Sequence, residues 1–256
     1  MSTTSFSLKG KTAIVTGGNG GIGFGMACGL ADAGANIVVA ARDATKSKAA
    51  VADLGRRGIR AIAVATDVTD AASVKALVAA TSKEFGRIDI LINNAGTNIR
   101  KPVHELALDE WHKVIETNLT SAFLCSQAVY PEMKKAGGGK IINIGSMLSI
   151  FGTGFAPAYG ASKGGIVQLT KSIAAAWAGD NIQANAVLPG WIDTELTRGA
   201  REQVPQLHDN VLHRTPAKRW GTIDDMAGVA VFLASPASDF VTGTAIPVDG
   251  GFSALG

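Results

Sequence analysis

Cysteine is almost absent. The 256-residue chain has two, Cys28 and Cys125, far apart in sequence and each within a helical pattern. A disulfide framework and a cysteine-based zinc site are thereby excluded, and both residues read as small core side chains in a reducing compartment. The four histidines, His104, His112, His208 and His213, fall in no HExxH or comparable spacing, so no metal site is expected. Charged residues are sparse at 18%, and a formal net charge of +3 is too small to argue for a nucleic-acid or membrane-surface partner. Aromatic residues, at 6%, do not cluster with basic ones as nucleic-acid modules require. No apolar run reaches the ~18 residues of a membrane span. The opening MSTTSFSLKGK is polar where a secretory leader would be apolar. A cytoplasmic protein is the expectation.

What the chain has instead is apolar material and a regular rhythm. Hydrophobic residues make up 46%, enough for a large core. Short β-branched runs alternate with longer helical patterns: TAIVTG (12–17), NIVVAA (36–41), AIAVATD (61–67), DILINNAG (89–96), KIINIGS (140–146), IQANAVLPG (182–190) and AIPVDGG (245–251). The earlier runs are nearly continuous in apolar residues, as in parallel strands covered on both faces. Strand–helix alternation of this kind means right-handed crossovers and a doubly wound α/β sheet of about seven strands in one domain, 1–256. Residues 191–221 break the rhythm of short connections and read as a lid-like segment over a ligand. In such a sheet the ligand lies beyond the carboxyl ends of the strands.

Two motifs sit at those ends. TGGNGGIG (16–23) follows the first strand and opens the first helix, with Gly17, Gly21 and Gly23 spaced GxxxGxG. Glycine permits a tight turn and close approach to a pyrophosphate, which the helix N-terminus favours. Downstream, APAYGASKGG (156–165) places Tyr159 and Lys163 at i, i+4 on one helix face. A free phenol is a poor proton acceptor at neutral pH; a nearby ammonium favours the phenolate and lowers its pKa. The pair therefore suits general acid/base work, and the small residues around it leave room for ligands. Ser146 ends the fifth strand, where its hydroxyl would polarise a reacting carbonyl. Asn118, in ETNLTSAF, reads by itself as a helix-surface amide.

Together these elements resemble the short-chain dehydrogenase/reductase family, whose usual glycine loop is TGxxxGIG. The remaining family elements follow in order: Asp67-Val68, NNAG at 93–96, Asn118, Ser146, Tyr159 with Lys163, and Pro189-Gly190 with Thr194. The resemblance implies a Rossmann-type fold and a catalytic group of Ser146, Tyr159, Lys163 and Asn118, with Asn118 holding a water that links Lys163 to solvent. It implies that Gly17, Asn19, Gly21, Ile22 and Gly23 form the pyrophosphate loop and that Lys163 holds the nicotinamide ribose. Asp67 would bond the adenine amino group, Val68 would pack its ring, and Asn94, Ala95 and Gly96 would line the adenosine ribose. Beyond Pro189 and Gly190, Ile192 would meet the carboxamide through its backbone, and Thr194 would bond the carboxamide or the pyrophosphate. A homotetramer is implied, through helices at 105–135 and 157–177 and the C-terminal strand.

Cofactor choice is read from AARD after the second strand. With the strand ending at Ala41, Arg42 favours the 2′-phosphate of NADP(H); NAD(H) is the alternative, with Asp43 as the ribose acid if the strand ends later. NADP-preferring family members often carry a basic residue in the glycine loop where this chain has Gly20. For a small-molecule alcohol or carbonyl substrate, Thr97, Asn98, Arg100, Met147, Phe151, Phe155 and Trp191 are pocket candidates. Arg198, Arg201, Arg214, Lys218 and Arg219 in the lid could pair a substrate anion or simply be solvated. GTNIRKP, NIGSMLSIFG and RTPAKRWG look most like gluconate 5-dehydrogenases and related sugar-acid or polyol dehydrogenases. A 3-oxoacyl-carrier-protein reductase is the alternative, and a cofactor-binding protein without turnover a third. Thr222 and Asp225 read as a capping box.

Overall fold

The computed structural model describes residues 3–255. Among them one sheet holds seven parallel strands: β1 (Thr12–Thr16), β2 (Asn36–Ala41), β3 (Ala61–Ala65), β4 (Ile90–Asn93), β5 (Gly139–Ile144), β6 (Ile182–Pro189) and β7 (Ala245–Val248). Their order is β3-β2-β1-β4-β5-β6-β7, so the chain reverses direction of travel between β1 and β4 and opens a crevice there. The helices are α1 (Gly21–Asp32), α2 (Ala44–Gly55), α3 (Ala71–Phe85), α4 (Leu108–Ile115), α5 (Ser121–Lys135), α6 (Pro157–Trp177), α7 (Glu195–Gln203), α8 (Leu207–Arg214) and α9 (Ala227–Ala234).

Period-two alternation divides the core. Ala13 and Val15 of β1 pack with α1, Leu54 of α2 and α9 on one face, while Ile14 packs with α3, α5 and α6 on the other. Both faces are covered, which is why β1, β4 and β6 are buried along their whole length while the edge strands β3 and β7 are not. α1 approaches α9 closely: a Cβ on Gly29 would lie 2.7 Å from that of Ala227. At the amino ends of the strands, buried Asp89 accepts from Thr12 N (3.0 Å), Lys11 (3.1 Å) and Arg87. Burial works against its charge, but these donors outweigh it and hold the carboxyl below its ordinary pKa.

The strands are shorter at their carboxyl ends than the apolar runs predict. Gly17, Asp67, Asn94 to Gly96 and Ser146 have all left the ladder, and all of these but Asp67 line the crevice beyond the strand ends. α4 and α5 form one rod interrupted by a π-turn, Glu116–Thr120, which carries Asn118. Such a turn widens the helix and redirects a side chain. The 191–221 segment is an excursion pinched at its neck. Asp193 N donates to Gly221 O (2.8 Å) and Gly221 N to Trp191 O (2.9 Å), with α7 and α8 between.

The expected capping box at Thr222 is only half formed. Asp225 accepts from Thr222 N (2.7 Å), but α9 begins later, at Ala227, and Asp225 is also gripped by Arg219 (2.6 Å). No helix among the described residues is long and apolar enough to cross a membrane.

Candidate active site

A cleft of about 1060 Å³ opens at the switch between β1 and β4. Its floor is the glycine loop. Gly17 has φ +63°, and a Cβ there would sit 2.9 Å from Asn94 Nδ2; on Gly23 the same atom would be 2.4 Å away. Only glycine permits that approach, because Asn94 Nδ2 donates to Thr16 O (3.0 Å) and Gly17 O (3.2 Å) and clamps the loop to the end of β4. The Thr16 hydroxyl completes the clamp by accepting from Asn94 N (3.0 Å) and Ala95 N (3.1 Å). The N-cap of α1, Gly20, offers no side-chain acceptor to the first-turn N–H groups, which leaves them for an anion. This cradle fits the pyrophosphate of a dinucleotide.

At the far end of the cleft stand Ser146, Tyr159 and Lys163. Pro157 starts α6 with its φ already helical, so Tyr159 lies in the first turn, facing the end of β5. A buried polar relay fixes that helix to the sheet. Asn93 Nδ2 donates to Asn143 Oδ1 (2.8 Å), and Asn143 Nδ2 donates to Thr170 Oγ1 on α6 (2.9 Å). Lys163 Nζ donates to Ile144 O (2.6 Å), the last carbonyl of β5, and the Ser149 hydroxyl donates to Lys163 O (2.7 Å). Ser146 Oγ accepts from Leu148 N (3.1 Å) and stands near the Tyr159 hydroxyl on the cleft wall.

The electrostatics differ from the sequence expectation. Burial pushes the Tyr159 phenol above its ordinary pKa, opposed by the nearby Ser146 hydroxyl and by the charge of Arg100. Lys163 Nζ lies 5.5 Å from the Tyr159 ring centroid, but it is not the cation that lowers the phenol. Burial pushes Lys163 itself down to about 8. The protein's own groups thus keep Tyr159 a proton donor at neutrality.

Of the residues singled out from the sequence, Gly17, Asn19, Gly21, Ile22, Arg42, Asn94, Ala95, Gly96, Ser146, Tyr159, Lys163, Pro189, Gly190, Ile192 and Thr194 line the cleft. Gly23 lies behind the loop, where its lack of a Cβ admits Asn94. Several others are placed differently. Asp67 lies outside the cleft lining and its Oδ1 accepts from Thr69 N (3.0 Å) and Oγ1 (2.7 Å), while Val68 is buried in the core. Asn118 is no surface amide: it is 2% exposed, accepts from Thr97 N (2.7 Å), and donates to Thr97 O (2.9 Å) and Ser162 Oγ (3.0 Å). With both its donors taken, it braces the loop after β4 against α6, and none of these bonds reaches Lys163. Thr194 caps α7.

Met147 is buried against Phe252, Phe155 is half exposed, and Trp191 packs edge-on to Trp220 at 5.6 Å, beside a small separate cavity. Asn98 has a buried Oδ1 with no partner. Arg100 is half-buried in the same loop. The lid cations are mostly engaged: Arg198 and Arg201 hold Asp193, Arg219 holds Asp225, and Arg214 stacks over Phe252 at 4.2 Å. His104 is exposed and lies outside the cleft lining. Sequence reading missed Thr16, Lys46, Glu195, Leu196 and Thr197, of which all but Thr16 line the cleft. Only the threonine before Gly17 carried a signal.

This fold and this constellation define a short-chain dehydrogenase/reductase. Residues 17–253 match the family model described as enoyl-(acyl carrier protein) reductase, and the chain belongs to that family. It is 42% identical over 255 residues to the 2-dehydro-3-deoxy-D-gluconate 5-dehydrogenase of Formosa agariphila, covering 99% of this chain and 97% of that one. It is also 42% identical over 246 residues to the 5-keto-D-gluconate 5-reductase of Escherichia coli, covering 96% of each. A gluconate 5-dehydrogenase from Burkholderia cenocepacia, solved with NADP and tartrate, superposes with a TM-score of 0.94 at 41% identity, over 99% of both chains.

Lys163 carries a stability consequence. The unfolded chain keeps that proton up to the ordinary lysine value of 10.5, the folded one only to about 8. Unfolding therefore takes up a proton between those values, and stability rises with pH across the window. Below it the buried charge costs about 3 kcal/mol. Lys163→Met should raise the Tm of the protein without added cofactor at pH 7, with the gain shrinking toward pH 10.5. Differential scanning calorimetry across that range checks it; a lower Tm at neutral pH would contradict the assignment of burial as the cause.

Proposed function

We propose that the protein is an NADP(H)-dependent oxidoreductase that interconverts a secondary alcohol and a ketone on a small sugar acid or related polyhydroxylated substrate. The observation that carries the reaction is the Tyr159 hydroxyl, grouped with Ser146 and a buried lysine at the end of a dinucleotide cleft. When bound, the cofactor supplies or accepts the hydride at its nicotinamide. Ser146 holds the substrate oxygen, and Tyr159 gives it a proton in reduction or takes one in oxidation. An ammonium has three N–H donors. One of those on Lys163 is fixed on Ile144 O, which leaves two for the nicotinamide ribose hydroxyls.

Asn118 acts as a positioning residue, through Thr97 and Ser162. Arg42, directly after β2, takes the 2′-phosphate. Asp43 is the N-cap of α2, accepts from Lys46 N (2.9 Å) and lies outside the cleft lining, which favours Arg42 over an acidic ribose contact of the kind NAD would use. The NADP in the Burkholderia structure supports the same cofactor.

Arg100 supports an acid substrate: it is half-buried in the loop after β4, its charge reaches Tyr159, and no ion pair among the described residues engages it. The curated relatives are named for sugar acids, which favours this reading over an acyl-carrier substrate. The homotetramer remains part of the proposal; exposed Leu108 and Phe123 on the α4–α5 rod support it.

Tyr159→Phe should lower kcat by at least ~100-fold while NADP+ affinity stays within about twofold, since it removes only the proton donor. Near-normal turnover in that variant would remove the assignment. A panel of 5-ketogluconate, neutral ketoses and acetoacetyl thioesters tests the substrate class. Arg100→Ala should raise KM for the sugar acid by roughly tenfold or more and leave neutral ketoses nearly unaffected; preference for the thioester would favour the alternative.

A further inference from the structure

Resting on the NADP(H) reading above, the geometry points to Lys46 as the second cation for the 2′-phosphate and to Glu195 as its competitor, so that Arg42 does not set cofactor choice alone. Gly20 occupies the glycine-loop position where a basic residue would serve that purpose, and a single guanidinium is a thin basis for selecting a phosphate dianion. Lys46 lies in the first turn of α2, and its side chain lines the same cleft as Arg42 and Gly20. Its ammonium pairs with Glu195 at the start of α7, 2.9 Å away on the opposite wall. Both side chains are exposed, at 55% and 87%. Such a pair is weak, screened by salt and readily exchanged.

A phosphate dianion beside Arg42 offers Lys46 a stronger, charge-assisted acceptor than a solvated carboxylate. Asn19 fixes the wall that carries Lys46, because its Nδ2 donates from the glycine loop to Ser47 Oγ (3.2 Å) on α2. The first turn of α2 is thus fixed relative to the loop. Lys46 exchanges partners by side-chain rotation alone, and Glu195 is released as the phosphate takes its place.

The test is calorimetric titration of the full-length protein with NADP+ and, separately, NAD+. Lys46→Met should weaken NADP+ roughly tenfold and move NAD+ by no more than about twofold. Glu195→Gln should tighten NADP+ by up to about fivefold, the ceiling for an exposed ion pair. That gain should vanish in the Lys46→Met background. Lys48→Met removes the same charge from α2 at a side chain outside the cleft lining, and should have an effect within about twofold. Gly20→Arg should restore NADP+ selectivity to Lys46→Met, because Gly20 has an extended φ of −176° and a Cβ there meets nothing within 4 Å.

Equal weakening of both cofactors by Lys46→Met would make the residue a strut of the cleft and overturn the inference. So would an unchanged NADP+ affinity, or a Lys48→Met effect as large as that of Lys46→Met. In these cases a wild type that still prefers NADP+ leaves the cofactor reading standing. A wild type without that preference overturns both.

Discussion

One contact governs the arrangement: the Lys163 ammonium hydrogen-bonded to the terminal carbonyl of β5. It joins the helix that carries Tyr159 to the strand that leads to Ser146, so the two hydroxyls meet at the cleft rather than diverging. The contact is costly to maintain, because burial depresses the lysine to about 8 and little protein charge compensates. A sequence selected for stability alone would place an apolar side chain there. Retaining the cation makes sense for a group whose remaining donors are kept for a ligand.

The rest of the molecule holds that contact in place. The Asn93–Asn143–Thr170 relay runs from β4 through β5 into α6, all within the buried interior, and fixes the helix in rotation as well as distance. Asn118, presented by a π-turn, ties the loop after β4 to the same helix through Thr97 and Ser162. Thr16 and Asn94 tie the glycine loop to the end of β4. Three polar clamps thus converge on one crevice, at or just beyond the carboxyl end of β4. The proton donor at one end and the anion cradle at the other are therefore parts of a single rigid frame.

The sheet was legible because continuous apolar runs between helical patterns admit few alternatives. Strand number and parallel direction follow from that rhythm, and the glycine loop, Ser146, Tyr159 and Lys163 follow from motif and position. Strand ends were less legible: DILINNAG reads as one apolar-flanked run, and only the fold distinguishes Asn93, paired with Asn143, from Asn94, bent over to the glycine loop. Asn118 read as a surface amide because helical periodicity does not reveal a π-turn. The tuning of Tyr159 was misjudged for a related reason. Spacing places Lys163 beside the phenol, but burial depth and the pull of Ile144 O depend on residues distant in sequence. Lys46 and Glu195 meet across the cleft from elements far apart in the chain, and no local pattern links them.

The central claim is that the protein alone holds Tyr159 protonated and that only the oxidised cofactor brings it toward ionisation. The chain has two tyrosines, so in a Tyr130→Phe background the phenolate absorbance reports Tyr159 alone. Titrated without cofactor, it should ionise above the ordinary tyrosine value, and saturating NADP+ should move the midpoint down. A midpoint at or below the ordinary value in the protein alone, unmoved by NADP+, would contradict the account.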